Sequence, residues 1–162
     1  MKIGLISDTH NNFKETIKAC EIFKMKNIDL VIHAGDFTSP KIIDLLSDFN
    51  CKLVIGNADF DIDLMKTECN NFGFGSVDDV CEFEISGKKI FVTHGNNVSV
   101  FREAVASGKY DYIIKGHTHY FENYTKNNTR VINPGSLFSN DEHSIAILDT
   151  DKDEVEKVII DG

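Results

Sequence analysis

At 162 residues the chain is about one domain long, and with a formal net charge of −9 and arginine only at positions 102 and 130 it has no basic stripe to follow a nucleic-acid backbone. No apolar run approaches the roughly 18 residues of a membrane helix, and Asp8 interrupts the amino-terminal apolar stretch too early for a signal peptide. Long nucleic acid and a bilayer are therefore excluded as partners, and the expected location is the cytoplasm.

The chain-order pattern begins with an apolar strand over 2–7, KIGLIS, followed by a helix over about 12–26 whose inner face is expected at Phe13, Ile17 and Cys20. A second strand, DLVIHA (29–34), precedes a helix announced by Ser39 as cap and Pro40 in the first turn, with Ile42, Leu45, Leu46 and Phe49 on one face. KLVIG (52–56) is the third strand. The stretch 60–79, rich in acids and holding Gly73 and Gly75, lacks clear periodicity and is expected to be a long loop. Its Phe60, Phe72 and Phe74 offer surfaces on which a base or aryl group can stack, although packing beneath the loop is the commoner role for any one of them.

CEFEIS and KKIFVT then form a hairpin at Gly87-Lys88, the second arm supplying the strand KIFVTH (89–94). A short helix from about Ser99 should turn Val98, Phe101 and Val105 inward, and DYIIKG (111–116) is a further buried strand. Two more hairpins follow, at Asn127-Asn128 and at Asp151-Lys152-Asp153. Parallel strands succeeded by antiparallel ones predict an α/β fold with two sheets. Cys20, Cys51, Cys69 and Cys81 contain no C-x-x-C pair and read as reduced, mostly buried thiols. The sequons at Asn97, Asn123 and Asn127 are chance matches under the same intracellular expectation.

The chemistry lies at the carboxyl ends of the apolar strands. Asp8 and His10, Asp36, Asn57, His94, and His117 with His119 each stand just beyond a strand, where sites in α/β folds gather. Two carboxylates, four imidazoles and an amide oxygen suit borderline divalent ions better than calcium or magnesium. Their number exceeds what one tetrahedral ion takes and suits two ions. Residues i and i+2 of an extended segment face one way, so Asp8 with His10, and His117 with His119, can each present two donors to one place. A single strand histidine is more often a hydrogen-bonded core residue, but seven donors gathered without metal would be costly to desolvate. Gly35, Gly56, Gly95 and Gly116 adjoin these positions and permit close backbone approach. His33, inside its strand, is expected to be buried and hydrogen-bonded, and His143 to be surface or structural.

Asp8-Thr9-His10, Gly35-Asp36, Gly56-Asn57, His94-Gly95 and Gly116-His117-Thr118-His119, in this order, resemble the motifs of the calcineurin-like metallophosphoesterases. The Asn133-Pro134-Gly135-Ser136 turn is similar to one in the short single-domain phosphodiesterases of bacteria and archaea. The resemblance implies a single domain over 1–162, built as a four-layer α-β-β-α sandwich of two mixed sheets flanked by helices. It also implies two divalent ions, manganese first with nickel, zinc or iron as alternatives. Asp8, His10, Asp36 and His119 would hold one ion, and Asp36, Asn57, His94 and His117 the other, with Asp36 bridging. The expected reaction is hydrolysis of small phosphodiesters by in-line attack of a metal-bridging hydroxide, without a protein nucleophile. Many members carry a histidine after Gly-Asn that protonates the leaving oxygen; here that position is Ala58, so the general acid is unassigned. The competing expectation is an interaction scaffold resembling the phosphatase-like subunit of the retromer coat. A homo-oligomer is left open.

Overall fold

The computed structural model describes residues 1–138 and 142–160. Its elements run β1 (Lys2–Ile6), α1 (Phe13–Met25), β2 (Leu30–His33), α2 (Pro40–Leu45), β3 (Cys51–Leu53), α3 (Ile62–Asn71), β4 (Val80–Ile85), β5 (Lys88–Thr93), α4 (Val98–Ser107), β6 (Tyr112–Ile114), β7 (Phe121–Lys126), β8 (Thr129–Pro134), β9 (Ser144–Asp149) and β10 (Glu154–Ile159). The strands form two five-stranded sheets, ordered β10-β9-β1-β2-β3 and β4-β5-β6-β8-β7. Both are mixed. In the first, β1, β2 and β3 are parallel while β9 and β10 form antiparallel pairs; in the second, β5, β6 and β8 are parallel and β4 and β7 antiparallel.

The alternation of side chains along each strand assigns the layers. Ile3 and Leu5 of β1, Ile32 of β2 and Leu148 of β9 share one apolar cluster with Ile90 and Val92 of β5, Ile114 of β6 and Ile132 of β8, which is the seam between the sheets. Their neighbours in sequence point outward. Ile6, Val31 and Ile147 pack with Ala19, Cys20 and Phe23 of α1, Ile42 and Ile43 of α2 and Met65 and Cys69 of α3. Phe91, Ile113 and Val131 pack with Ala104 and Val105 of α4. The order is thus helices, sheet, sheet, helix, as expected for a four-layer sandwich.

Several sequence expectations need correction. The stretch 60–79 is not all loop: Asp61 caps α3 by accepting from the Leu64 N–H at 3.4 Å, and Met65 and Cys69, four residues apart, are the side chains this helix buries. Only two inward residues among acids and asparagines are too few to print a helical period. Phe72 and Phe74 lie together, their centroids 5.8 Å apart, against the first sheet's helical core, whereas Phe60 is exposed. In α1 the buried residues are Glu15, Thr16, Ala19, Cys20 and Phe23, leaving Phe13 and Ile17 exposed; the Thr16 hydroxyl bonds the Asn12 carbonyl at 2.7 Å and Glu15 ion-pairs with Lys18 at 3.3 Å, so polar residues take inward places. In α4 Val98 is exposed and Ala104 and Val105 are buried. Helix α2 stops at Leu45, before Phe49, because the chain turns there to reach β3. The strands also end short of their expected carboxyl ends, for the final residues leave the ladders to form the site.

The second and third hairpin turns stand where expected, with Asn127 and Asn128, then Asp153, in the left-handed region, whereas the first turns at Ser86 and Gly87, one residue before the expected Gly87-Lys88, because Lys88 already pairs with Ile85 in the ladder. His33 is fully buried: its Nδ1 accepts from the Gly35 N–H at 3.2 Å, so Nε2 carries the proton toward the Thr9 hydroxyl at 3.1 Å. Burial, with the like-charged neighbour His94, pushes its pKa down to about 3, which keeps it neutral. His143 is half-buried, and its carbonyl accepts from the Ile160 N–H at 2.8 Å. Among the described residues no helix is long and apolar enough to cross a membrane.

Candidate metal centre

The carboxyl ends of β1, β2, β5 and β6 converge on one edge of the sandwich. Asp8 and Asp36 are buried there, each with a division of labour between its two oxygens. Asp8 Oδ2 accepts from the Ser7 hydroxyl at 2.6 Å and the His117 N–H at 3.0 Å. Its Oδ1 faces His119 Nε2 at 3.2 Å and His10 and His94 Nε2 at 3.9 Å each. Asp36 Oδ1 accepts from the Ala58 N–H at 2.8 Å, and Oδ2 faces His94 Nε2 at 3.3 Å and His10 Nε2 at 3.4 Å. One oxygen of each pair is thereby fixed by the protein and the other is turned toward imidazole nitrogens.

Among the described residues four buried side-chain atoms lack a hydrogen-bond partner: Asp8 Oδ1, His10 Nε2 and His94 Nε2 here, and Glu15 Oε2, which Lys18 meets as an ion pair at 3.3 Å. Such orphans are rare because an unpaired buried polar atom costs about 1–3 kcal/mol. His94 Nδ1 lies 2.8 Å from the Ala34 carbonyl, which can only accept, so Nδ1 carries the proton and the Nε2 lone pair points at the carboxylates. Two donor groups, Asp8 with His10 and His119, and Asp8 with Asp36 and His94, have ligand atoms all within 4.8 Å of one another. The donors fit a divalent metal ion.

Not every sequence candidate sits in this inner group. His117 is exposed, with its ring centroid 5.2 Å from that of His94. Asn57 is exposed on the turn after β3, between Gly56 and Ala58, whose N–H groups are held by Asp59 and Asp36.

The backbone of the site is unusual. Asp8, His10, Asp36, His117 and His119 have φ of 51°, 42°, 59°, 71° and 63°, the left-handed region that costs side-chain-bearing residues about 1 kcal/mol or more each. Crossing hydrogen bonds hold them there, including Asp8 N–H to Gly35 O and His10 N–H to Asp36 O, both 3.0 Å. A Cβ at Gly56 would stand 2.1 Å from Asp36 Oδ1, and one at Gly116 would stand 1.9 Å from Ser7 Oγ and 2.6 Å from Asp8 Oδ2. Glycine is therefore required at both for the carboxylates to occupy their places.

Three supporting residues lie outside the donor set that the sequence singles out. Buried Asp59 accepts from the N–H groups of Asp36 at 3.0 Å, Gly56 at 2.8 Å and Thr38 at 2.7 Å, tying the β2 and β3 loops together. Ser136, legible only as part of a turn motif, donates its hydroxyl to the Asp8 carbonyl at 2.9 Å. Asn133, from the same turn, donates to the Gly116 carbonyl at 2.9 Å and to the Thr118 hydroxyl at 3.0 Å, fixing the segment that bears His117 and His119. The proximity of Asp59 to Gly56-Asn57 is the one sequence signal for the first.

Electrostatics follow from this packing. Burial alone would raise the Asp36 pKa, but the adjacent His94 imidazole and the Ala58 N–H outweigh it and hold the carboxyl below its ordinary value. Burial would lower that of His94; Asp36 and Asp8 overcome it and raise the pKa in the metal-free protein. Asp59 is pushed up by burial, against the pull of its backbone donors.

Comparison with known proteins agrees with this geometry. A family model for the calcineurin-like phosphoesterase superfamily domain matches residues 1–153. A phosphodiesterase of Methanocaldococcus jannaschii is 36% identical over 166 aligned residues, covering 99% of this chain and 100% of the relative. A solved archaeal phosphodiesterase superposes with a TM-score of 0.90 at 36% identity, covering 98% of this chain and 99% of the other. The zinc complex of Vps29 from Entamoeba histolytica shares the fold, with a TM-score of 0.68 at 18% identity over 99% of this chain and 100% of that one. The chain belongs to the calcineurin-like phosphoesterase superfamily, and with it to the metal-dependent phosphoesterases.

Proposed function

We propose that residues 1–162 act as one catalytic domain, a metal-dependent phosphodiesterase hydrolysing small phosphodiesters at a centre of two divalent ions, manganese by first preference. Asp8, His10, Asp36 and His119 would hold one ion, and Asp36, Asn57, His94 and His117 the other. The observation that carries this reading is the trio of buried, unpartnered atoms, Asp8 Oδ1, His10 Nε2 and His94 Nε2, facing one another at the strand ends. The whole-length similarity to an archaeal phosphodiesterase supports the choice of diester over monoester. A cytoplasmic location suits the four free thiols Cys20, Cys51, Cys69 and Cys81.

When bound, divalent ions supply Lewis acidity, polarising phosphoryl oxygens and making water acidic enough to attack near neutral pH. The chain's own residues prepare the place. Ser7, the His117 N–H and the Ala58 N–H keep each aspartate from rotating its free oxygen away, and the Ala34 carbonyl fixes the His94 tautomer. Asp8, Asp36 and His94 form a buried floor, while exposed His117 leaves the outer side open to substrate. Ala58 has no proton to give to a departing oxygen, so weakly basic leaving groups, such as aryl and strained cyclic esters, should react fastest.

The test is hydrolysis of bis(p-nitrophenyl) phosphate by protein loaded with manganese, nickel or zinc, with metal content measured on the same samples. We expect two ions per chain, turnover of the diester exceeding that of p-nitrophenyl phosphate, and abolition of metal-stimulated hydrolysis in Asp36→Ala and His94→Ala with circular dichroism unchanged. Unaltered turnover in both variants overturns the assignment. A protein that takes up no metal and cleaves no diester is instead a scaffold.

A further inference from the structure

The phosphate-binding chemistry leaves open how the rest of the substrate is recognised, and the charged groups around the centre do not supply an answer. Among the described residues the side chains that ion-pair with Asp8 and Asp36 are all histidines. Lys115, the basic residue on the segment carrying His117 and His119, is engaged by Glu122 at 2.9 Å and lies over the Phe101 ring at 5.4 Å. Arg130 is taken by Asn123 at 2.9 Å and by Asp153 at 3.0 Å. Neither of these two cations is left to recognise a substituent.

An aromatic ring is. Phe138 packs against the ring of His10, with centroids 4.7 Å apart and planes inclined at 43°, yet 54% of it remains exposed. Its position is not that of a frayed loop. Leu137, immediately before it, is fully buried; the Leu137 N–H bonds the Asp8 carbonyl at 3.2 Å, and its own carbonyl accepts from the Asn12 amide at 2.6 Å. The Phe138 N–H bonds the Ser136 hydroxyl at 2.9 Å, and that hydroxyl in turn donates to the Asp8 carbonyl. The same hydrogen bonds that fix Asp8 thus hold a large apolar ring in water beside a candidate metal ligand. An exposed ring held this firmly next to a polar centre suits a flat, apolar surface brought by the ligand.

We infer that Phe138 is a stacking platform for a planar ring on the substrate, so that the site prefers phosphodiesters bearing an aryl or nucleoside substituent to those bearing only alkyl groups. Phe138 determines specificity and takes no part in the chemical step. The inference rests on the phosphodiesterase reading for the reaction but concerns recognition, and its test separates the two.

The experiment measures binding of unreactive diesters to the manganese-loaded protein by calorimetry, and by competition with bis(p-nitrophenyl) phosphate turnover. The probes are dimethyl phosphate, diphenyl phosphate and thymidylyl-thymidine. Wild type should bind at least one ring-bearing diester more tightly than dimethyl phosphate. In Phe138→Ala that preference should shrink about three- to tenfold, the worth of one ring stack. Dimethyl phosphate affinity and metal content should stay unchanged. Phe138→Trp should restore the preference and Phe138→Leu should not. A larger loss for thymidylyl-thymidine than for diphenyl phosphate assigns the platform to nucleosides, and the reverse assigns it to simple aryl esters. Equal preference in wild type and Phe138→Ala overturns the inference, as does a parallel fall for all three diesters or in metal content, since the ring would then merely prop His10. A protein that binds these diesters but cleaves no bis(p-nitrophenyl) phosphate would defeat the phosphodiesterase reading alone, while the calorimetric ratio would still decide the role of Phe138.

Discussion

The hairpin turns and the metal-site loops use the same backbone conformation for different ends. At Ser86, Asn127, Asn128 and Asp153 positive φ values of 50°, 51°, 62° and 53° serve chain reversal, and the residues are small, polar ones that tolerate that region. At Asp8, His10, Asp36, His117 and His119 equally positive values fall on candidate metal donors, and a web of hydrogen bonds between distant segments keeps them there. In the turns, the local sequence chooses the conformation. At the site, the fold imposes it for the benefit of what binds there.

The largest effect that would break this comparison is expected at Asp59, which holds the Asp36, Thr38 and Gly56 N–H groups at once. Asp59→Ala should leave three backbone donors without a partner and destabilise the protein by about 3 kcal/mol, with weakened metal uptake. Chemical denaturation and metal titration would measure both, and a loss below about 1 kcal/mol would mean that the loops support themselves.

A smaller effect compares the two regions by one substitution made twice. His117→Gly removes an exposed ring at φ 71° and should stabilise the metal-free protein by about 0.5 kcal/mol, relief of strain exceeding the entropy cost of glycine, while lowering metal affinity. Asn128→Gly, in a turn that asparagine already tolerates, should change stability by no more than a few tenths of a kcal/mol and leave metal binding alone. Denaturant midpoints of both variants with and without manganese decide the matter; identical responses would erase the distinction between turn and site.

The smallest expected effect is in pH dependence. The His94 pKa is raised in the folded, metal-free protein, so the stability it contributes is fully present below its ordinary value of 6.5 and is lost as pH rises through the raised folded value. Asp36, with a lowered pKa, contributes above its ordinary value of 3.8 and loses that contribution only as pH falls through its lowered folded value. His33, buried neutral with its pKa pushed down to about 3, contributes with the opposite sign across this range, so the readout is a difference between proteins: from about pH 6 to about pH 8 the metal-free wild type should lose more, or gain less, denaturant midpoint than His94→Gln. Parallel pH responses in the two proteins would contradict the assignment of His94.

The donors are legible in the sequence because each stands where an apolar strand runs out, and a strand buried on both faces gives Asp8, Asp36 or His94 little reason to be there except to bind. Helix α3 is not legible, since Met65 and Cys69 are too few to mark a period among acids. The buried face of α1 is hidden because Thr16 satisfies its hydroxyl within its own helix and so passes for an outward residue. Phe138 carries no signal at all, since its neighbour His10 is distant in the chain.

The sequence by itself determined most of the alternation of strands and helices, two of the three hairpin turns and the set of candidate donors, because these depend on residue type and short-range spacing. Only the tertiary structure decided which oxygen of each aspartate is left free, that Asp59 binds two loops into one, and which phenylalanine flanks the centre. Each of those outcomes needs contacts between segments far apart in the chain, and no local pattern encodes such contacts.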